Sequence, residues 1–294
     1  MPSKPKASLS TGAGRATPKV GPRANKALGR VLVVAGSDPS GGAGVQADIK
    51  TITALGGYAA TAITALTVQN TLGVTDIKAV AGAFVAAQMD AVLSDIGADA
   101  LKTGMLFNAA IIRAVVKTIK RAGYAGPVIV DPVMVATSGD VLLKKDALTA
   151  LKKDLLPITS LLTPNIPEAE ALCGFPIKAD TDILKAGKAI LAMGPKAVLI
   201  KGGHLPSEQL VDTLMIAGGE EMQIKSTRIE SKDTHGTGCT MASALAAGLA
   251  RGESTELAFS HAHAFVRSAI LHAPGFGAGN GPLGHSAAWA SQKV

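Results

Sequence analysis

The feature that most constrains this chain is a rhythm: short apolar runs alternate with amphipathic helical segments from residue 30 onward. RVLVVAG (30–36) is apolar throughout, and the turn cluster SDPSGGAG follows it at once. A run of this kind, without period-two alternation, reads as a strand covered on both faces. VQADIKTITALGG then shows helical spacing and stops at Gly56 and Gly57. Further strands are predicted over YAATAITALTVQN, ADALKTGML, GPVIVDPV, TSLLTPN and KAVLIKGG. Helices are predicted over AFVAAQMDAVLSDIG, NAAIIRAVVKTIKRAG, KKDALTALKKDLLP, PEAEALCG and DILKAGKAILAMG. LVDTLMIAGGEEMQIKSTRI reads as a hairpin turning at Gly218 and Gly219, and helices over 238–251, 255–272 and 283–291 follow. Such alternation predicts an α/β fold with a mostly parallel central sheet and helices on both faces. No internal repeat or linker interrupts 30–294, so a single domain is expected there. Ligands of such sheets sit outside the carboxyl ends of the strands. GSDPSGGAG, TGML, DPV, TPNIPEAE and KGGH all fall at those ends.

Composition removes several classes of function. Hydrophobic residues make up 47% and charged residues 17%, the balance of a well-filled core rather than a disordered chain. Aromatics are only 3%, too few for a platform that stacks single-stranded nucleic acid. The net charge of +7 has a local origin. Residues 1–30 contain Lys4, Lys6, Arg15, Lys19, Arg23, Lys26 and Arg30 and no acid; setting those seven aside leaves 22 basic residues against 22 acidic ones. The body is therefore neutral, and no nucleic-acid partner is expected. Residues 1–29 read as a basic disordered tail, with a cloning remnant or an organelle transit peptide as alternatives. No apolar run long enough to span a membrane is present. Cys173 and Cys239 are far apart and form neither a metal-spaced pair nor a disulfide framework, which suits a reducing, cytoplasmic setting.

Gly42-x-Gly44-x-x-Ala47 is a loose dinucleotide fingerprint. That reading needs an acidic residue at the end of the following strand, and the strand ends in Gln69 and Asn70. No G-x-x-x-x-G-K-[ST] loop occurs. DTHGTGCT (233–240) is the stronger candidate for phosphate binding. Gly236, Thr237 and Gly238 open a helix, where unpaired N–H groups and the helix dipole favour an anion. An ordinary turn before a buried helix is the alternative. Cys173 reads as a small buried hydrophobe, whereas Cys239 lies in the first turn of that helix, where a thiol's pKa tends to fall. His204, His235, His261 and His263 show no metal-ligand spacing, since the last two, at i and i+2, face different sides of a helix.

Taken in order, AGSDPSGGAGVQADIKTITALGGYAATAITALTVQNT, GML, DPVMVATSGD, TPNIPEAEAL, KGGH and DTHGTGCTMASALAAGLA resemble the hydroxymethylpyrimidine/phosphomethylpyrimidine kinases, of the ribokinase-like superfamily. The likeness runs from about residue 31 to 285 and includes GFGAGNGPLGH. It implies a ribokinase-like fold and ATP-dependent phosphorylation of 4-amino-5-hydroxymethyl-2-methylpyrimidine, and then of its monophosphate, in thiamine biosynthesis. On this resemblance Gly236, Thr237 and Gly238 form an anion hole and Cys239 is the catalytic base. Asn165 and Glu168 match the superfamily's N-x-x-E motif, in which the Glu organises the water shell of Mg²⁺. Asp131 and Lys201 fall near metal and nucleotide phosphates, and Gln46, Asp38 and Met105 line the pyrimidine site. Each has a plainer reading: helix-end charge for Glu168, a turn cap for Asp131, a solvated loop for Lys201 and a helix surface for Gln46. Pyridoxal, pyridoxine or pyridoxamine is the alternative substrate, and a non-catalytic vitamer-binding protein the alternative of another class. A homodimer is left open.

Overall fold

The computed structural model describes residues 28–136, 139–140, 142–203, 209–219 and 221–290. The expected tail lies outside them except for Leu28 and Gly29, as does His204. In the first half of the chain the elements are β1 (Arg30–Ser37), α1 (Gly44–Ala54), β2 (Tyr58–Asn70), β3 (Gly73–Ala79), α2 (Gly82–Asp95), β4 (Ala100–Thr103), α3 (Ala109–Arg121) and β5 (Val128–Val130). The second half adds α4 (Lys145–Ala150), β6 (Leu161–Leu162), α5 (Ile166–Cys173), α6 (Asp180–Leu191), β7 (Ala197–Ile200), β8 (Gln209–Ile216) and β9 (Glu221–Thr227). It closes on α7 (Thr237–Ala250), α8 (Thr255–Leu271) and α9 (His285–Ala290).

Among the described residues the strands form one nine-stranded sheet in the order β3-β2-β1-β4-β5-β6-β7-β8-β9. The six strands from β2 to β7 in that order are parallel. Antiparallel pairs close the sheet at both edges, β2 with β3 and β7 with β8 and β9. Side chains of β1 alternate between two covered faces. Leu32 and Val34 pack with α2 to α6, and Val31, Val33 and Ala35 pack with α1 and α7. α8 and α9 extend that second layer over β6, β7 and β8. Helices on both faces explain why the strand runs are apolar without alternation. Among the described residues, no helix is long and apolar enough to cross a membrane.

Two expectations need correction. β3 had no sequence assignment, because an irregularity between Val68 and Gln69 lets two residues of β3 oppose one of β2 and breaks the period-two pattern. The helix expected over 144–157 is regular only to Ala150; it widens into a π turn (Leu151–Leu155) and tightens into a 3-10 turn containing Pro157, which has no N–H to continue it. β4 to β7 are also shorter than their apolar runs. The surplus residues at their carboxyl ends leave the sheet.

From β1 the chain passes to β2 on one side and later to β4 on the other. That switch point opens a crevice at the carboxyl ends of the strands.

Candidate active site

The crevice is a cleft of about 710 Å³. Gly36 to Asp38 after β1, Gly104 and Met105 after β4, Asp131 after β5, Asn165 and Glu168 after β6 and Lys201 after β7 all line it, with Gly236 to Cys239 at its centre. All but one of the expected site residues meet there.

The start of α7 is built to receive an anion. Its N-cap, Gly236, has φ +87° and no side-chain cap. A Cβ at Gly236 would run into the carbonyl of Gly42, so only glycine lets the 236–238 turn lie against the 38–44 loop. The Thr237 hydroxyl donates to Thr234 O at 2.7 Å, and Thr240 N–H bonds back to Gly236 O. Gly238 and Cys239 contribute N–H groups from the first turn, where no intrahelical acceptor exists. A Cβ on Gly238 would stand 3.4 Å from Lys201 Nζ and 3.5 Å from Asp131 Oδ2, so the cation and carboxylate approach this turn closely.

Lys201 Nζ lies 3.4 Å from Asp131 Oδ1, with Asp131 buried and Lys201 mostly covered. Burial works against the Lys201 charge, but Asp131 and Glu168 outweigh it and hold its pKa above the ordinary value. Glu168 and Asn165 form a capping box on α5: Asn165 Oδ1 accepts from Glu168 N–H at 2.9 Å, and Glu168 Oε2 accepts from Asn165 N–H at 2.8 Å. Glu168 therefore caps α5 and also lines the cleft. Burial pushes its carboxyl up to about 7, Lys201 opposing and Asp131 adding to the rise.

Met105 is buried in the cleft wall. Asp38 lines the cleft, but its carboxylate is occupied. It accepts from Ser40 N–H and hydroxyl, from Ala43 N–H at 2.9 Å and from His235 Nε2 at 2.8 Å. Burial tends to raise its pKa, and those hydrogen bonds together hold it below the usual carboxylate range. Gln46 is the expected residue that does not line the cleft. Its Oε1 accepts from Asp38 N–H at 3.0 Å and its Nε2 donates to Ser37 Oγ at 2.8 Å, so both ends brace the loop. Gln69 lines the cleft instead, two residues beyond Thr67 on the same face of β2; Thr67 donates to its Oε1 at 3.1 Å, and its Nε2 lies 3.3 Å from His235 Nε2. A strand-end glutamine two residues beyond a polar Thr67 was the available signal.

Sequence reasoning also missed what lies behind Cys239. Lys102 and Asp48 form an ion pair at 2.8 Å with both side chains at 0% exposure, and Ser243 Oγ donates to the same carboxylate oxygen at 2.7 Å. The thiol differs from expectation too. Burial pushes Cys239 up to about 12, with Lys102 pulling the other way, so the helix start does not leave a low-pKa thiol in the free protein. Among the described residues no three His, Cys, Asp or Glu side chains gather as a metal cage.

The family model described as phosphomethylpyrimidine kinase matches residues 38–284. The chain is 48% identical over 258 residues to the thiamine biosynthesis bifunctional protein ThiED of Geobacter sulfurreducens, covering 87% of this chain and 52%, about half, of that protein. It is 45% identical over 258 residues to the hydroxymethylpyrimidine/phosphomethylpyrimidine kinase of Bacillus subtilis, covering 88% of this chain and 95% of that one. The solved structure of Staphylococcus aureus pyridoxal kinase in complex with AMP-PCP and pyridoxal superposes with a TM-score of 0.80 at 36% identity, over 88% of this chain and 94% of that one. The family match runs through the glycine turn, Cys239, Lys201 and the carboxylates that face it, and the chain belongs to the phosphomethylpyrimidine kinase family.

Proposed function

We propose that the chain transfers the γ-phosphoryl group of ATP to the hydroxymethyl oxygen of 4-amino-5-hydroxymethyl-2-methylpyrimidine, and then a second phosphoryl group to the monophosphate, in thiamine biosynthesis. One observation carries the reading: Cys239 stands at an uncapped helix start in one cleft with the Lys201–Asp131 pair, Met105 and Gln69. The heterocycle packs on Met105, and Gln69 offers its edge a donor and an acceptor side by side. Gln46 and Asp38 act through the loop that they hold together.

Cys239, in its thiolate form, takes the proton of the substrate hydroxyl as the oxygen attacks phosphorus. The N–H groups at the start of α7 and the Lys201 ammonium receive the charge that spreads over the transferred group. The second acceptor differs, because a phosphate monoester is already ionised near neutral pH and has no hydroxyl proton to lose. Magnesium supplies charge neutralisation on the phosphates when bound. It keeps most of its waters and needs one or two carboxylates rather than a cage, so Glu168 and Asp131, one raised by burial and both beside Lys201, fit as the groups that would hold its shell.

The likeness to a pyridoxal-bound kinase supports a second reading, in which a pyridine carrying the same hydroxymethyl group is also accepted. Parallel turnover with Mg-ATP and the aminopyrimidine, its monophosphate and the pyridoxal vitamers tests both. ADP release with the first two is expected to exceed that with the vitamers. Turnover of the vitamers alone would reject the main reading.

A further inference from the structure

The buried charges behind Cys239 have no place in the reaction as described. Lys102 and Asp48 are wholly enclosed between β4, α1 and α7, and Ser243 joins them from α7. Ser243 is four residues beyond Cys239 and therefore one turn along the same helix face. Packing does not require such a group, since a buried ion pair replaced by apolar side chains of similar volume is often no less stable. Nor is the pair self-contained. The Lys102 ammonium has three N–H donors, and its recorded hydrogen bond is to Asp48 Oδ1, while Asp48 Oδ2 is buried without a hydrogen-bond partner.

We propose that Lys102 and Asp48 are a matched pair of positioning residues that sets the proton affinity of Cys239, the Lys102 charge stabilising the thiolate and Asp48 limiting that effect. The proposal rests on reading Cys239 as the base. Neither residue touches substrate; both act through the sulfur. The charged groups that act on Cys239 are Lys102 from β4, Asp48 from α1, Asp131 after β5 and Lys201 after β7. Asp131 and Lys201 are paired to each other at the phosphate end of the cleft, which leaves Lys102 and Asp48 as the charges behind the thiol. Their balance matters because burial alone strongly disfavours a thiolate. Without Lys102 the thiol titrates still later than in the parent; without Asp48 the thiolate forms at lower pH and is a weaker base for the substrate hydroxyl.

The test measures the thiol rather than the kinase reaction, so its failure is distinct from failure of the assigned activity. In a Cys173→Ser background, alkylation of Cys239 by iodoacetamide is followed by mass spectrometry along its rising limb from pH 7 to 10, and the thiolate's ultraviolet absorbance is titrated up to the highest pH at which the protein stays folded. Asp48→Asn is expected to move the titration to lower pH by about one unit or more. On the rising limb this gives an alkylation gain of about threefold, because lower basicity takes back part of the increase. Lys102→Met is expected to move both readouts the opposite way. A merely structural pair would disturb both variants alike or leave the thiol unchanged. If either single variant fails to fold, the neutral double variant Lys102→Met/Asp48→Leu takes its place and is expected to titrate later than the parent. Shifts of the same sign in both single variants, or an unmoved thiol in any folded variant, overturn the proposal.

Discussion

Replacing Glu168 by Gln isolates one buried charge with little change of shape. The glutamine oxygen can still accept from Asn165 N–H, so the capping box of α5 survives. In the parent, only 6% of Glu168 is exposed and its carboxyl binds a proton up to about pH 7, against an ordinary 4.5. Between those values the unfolded chain has released the proton and the folded chain has kept it. Stability from this group is therefore full below pH 4.5, falls as pH rises, and levels off above 7. At about 1.4 kcal/mol per pH unit, the loss is about 3 kcal/mol. Denaturant unfolding of parent and variant in metal-free buffer at pH 5 and pH 8 measures it. The variant is expected to gain about 3 kcal/mol on the parent between the two values, while groups common to both proteins cancel. A difference that stays flat, or changes the other way, would refute the burial argument. Magnesium and nucleotide favour the ionised carboxylate, so their binding near pH 6 should release a proton in the parent and none in the variant, as read by calorimetry in buffers of different ionisation enthalpy.

Cys239→Ala should slow the first phosphorylation by roughly 10²–10⁴, and the second much less, because the second acceptor is already ionised; equal losses in both half-reactions would remove Cys239 as a base. In the resting parent protein, alkylation of Cys239 should still be accelerating at pH 9, since burial holds the thiol near 12, and a plateau by pH 8 would contradict this. Gln69→Leu should weaken apparent affinity for the aminopyrimidine by about 1–3 kcal/mol without lowering Tm, whereas Gln46→Leu should lower Tm by unpairing Ser37 and Asp38 N–H; the reverse pattern would return Gln46 to the site. Gly236→Ala places a Cβ against the Gly42 carbonyl at positive φ, so loss of nucleotide binding is expected in a filter or calorimetric assay, and normal binding would show that the turn is adaptable.

Most of the parallel sheet was legible because both its faces are covered, and an apolar run between turn clusters has few other uses. β3 was not legible, because its irregular pairing erases alternation on a strand whose residues are largely exposed. The uncapped glycine turn at the start of α7 could be read locally, since its glycines, its helix and Cys239 are contiguous. Gln46 and Gln69 show the limit of that approach. Both are glutamines near a glycine loop, and only the strand pairing decides which amide is spent on the backbone and which reaches the cleft. Lys102 and Asp48 were hidden for a related reason. An apolar strand with one lysine reads as a strand end, and its partner lies 54 residues away on another element. The thiol's raised pKa needed three-dimensional burial, which a motif does not carry.

The clasp between the 38–44 loop and the 235–238 turn has a bearing on how such an enzyme can be altered. His235 holds Asp38, and Gly236 rests on Gly42, so the loop proposed to face the heterocycle and the turn proposed to face the phosphates share one hinge pin. Libraries that vary the first loop to admit a bulkier ring will also disturb ATP handling, and selection will mistake that loss for poor ring recognition. Productive variation would come from Met105 and Val133, which line the cleft but belong to neither partner of the clasp.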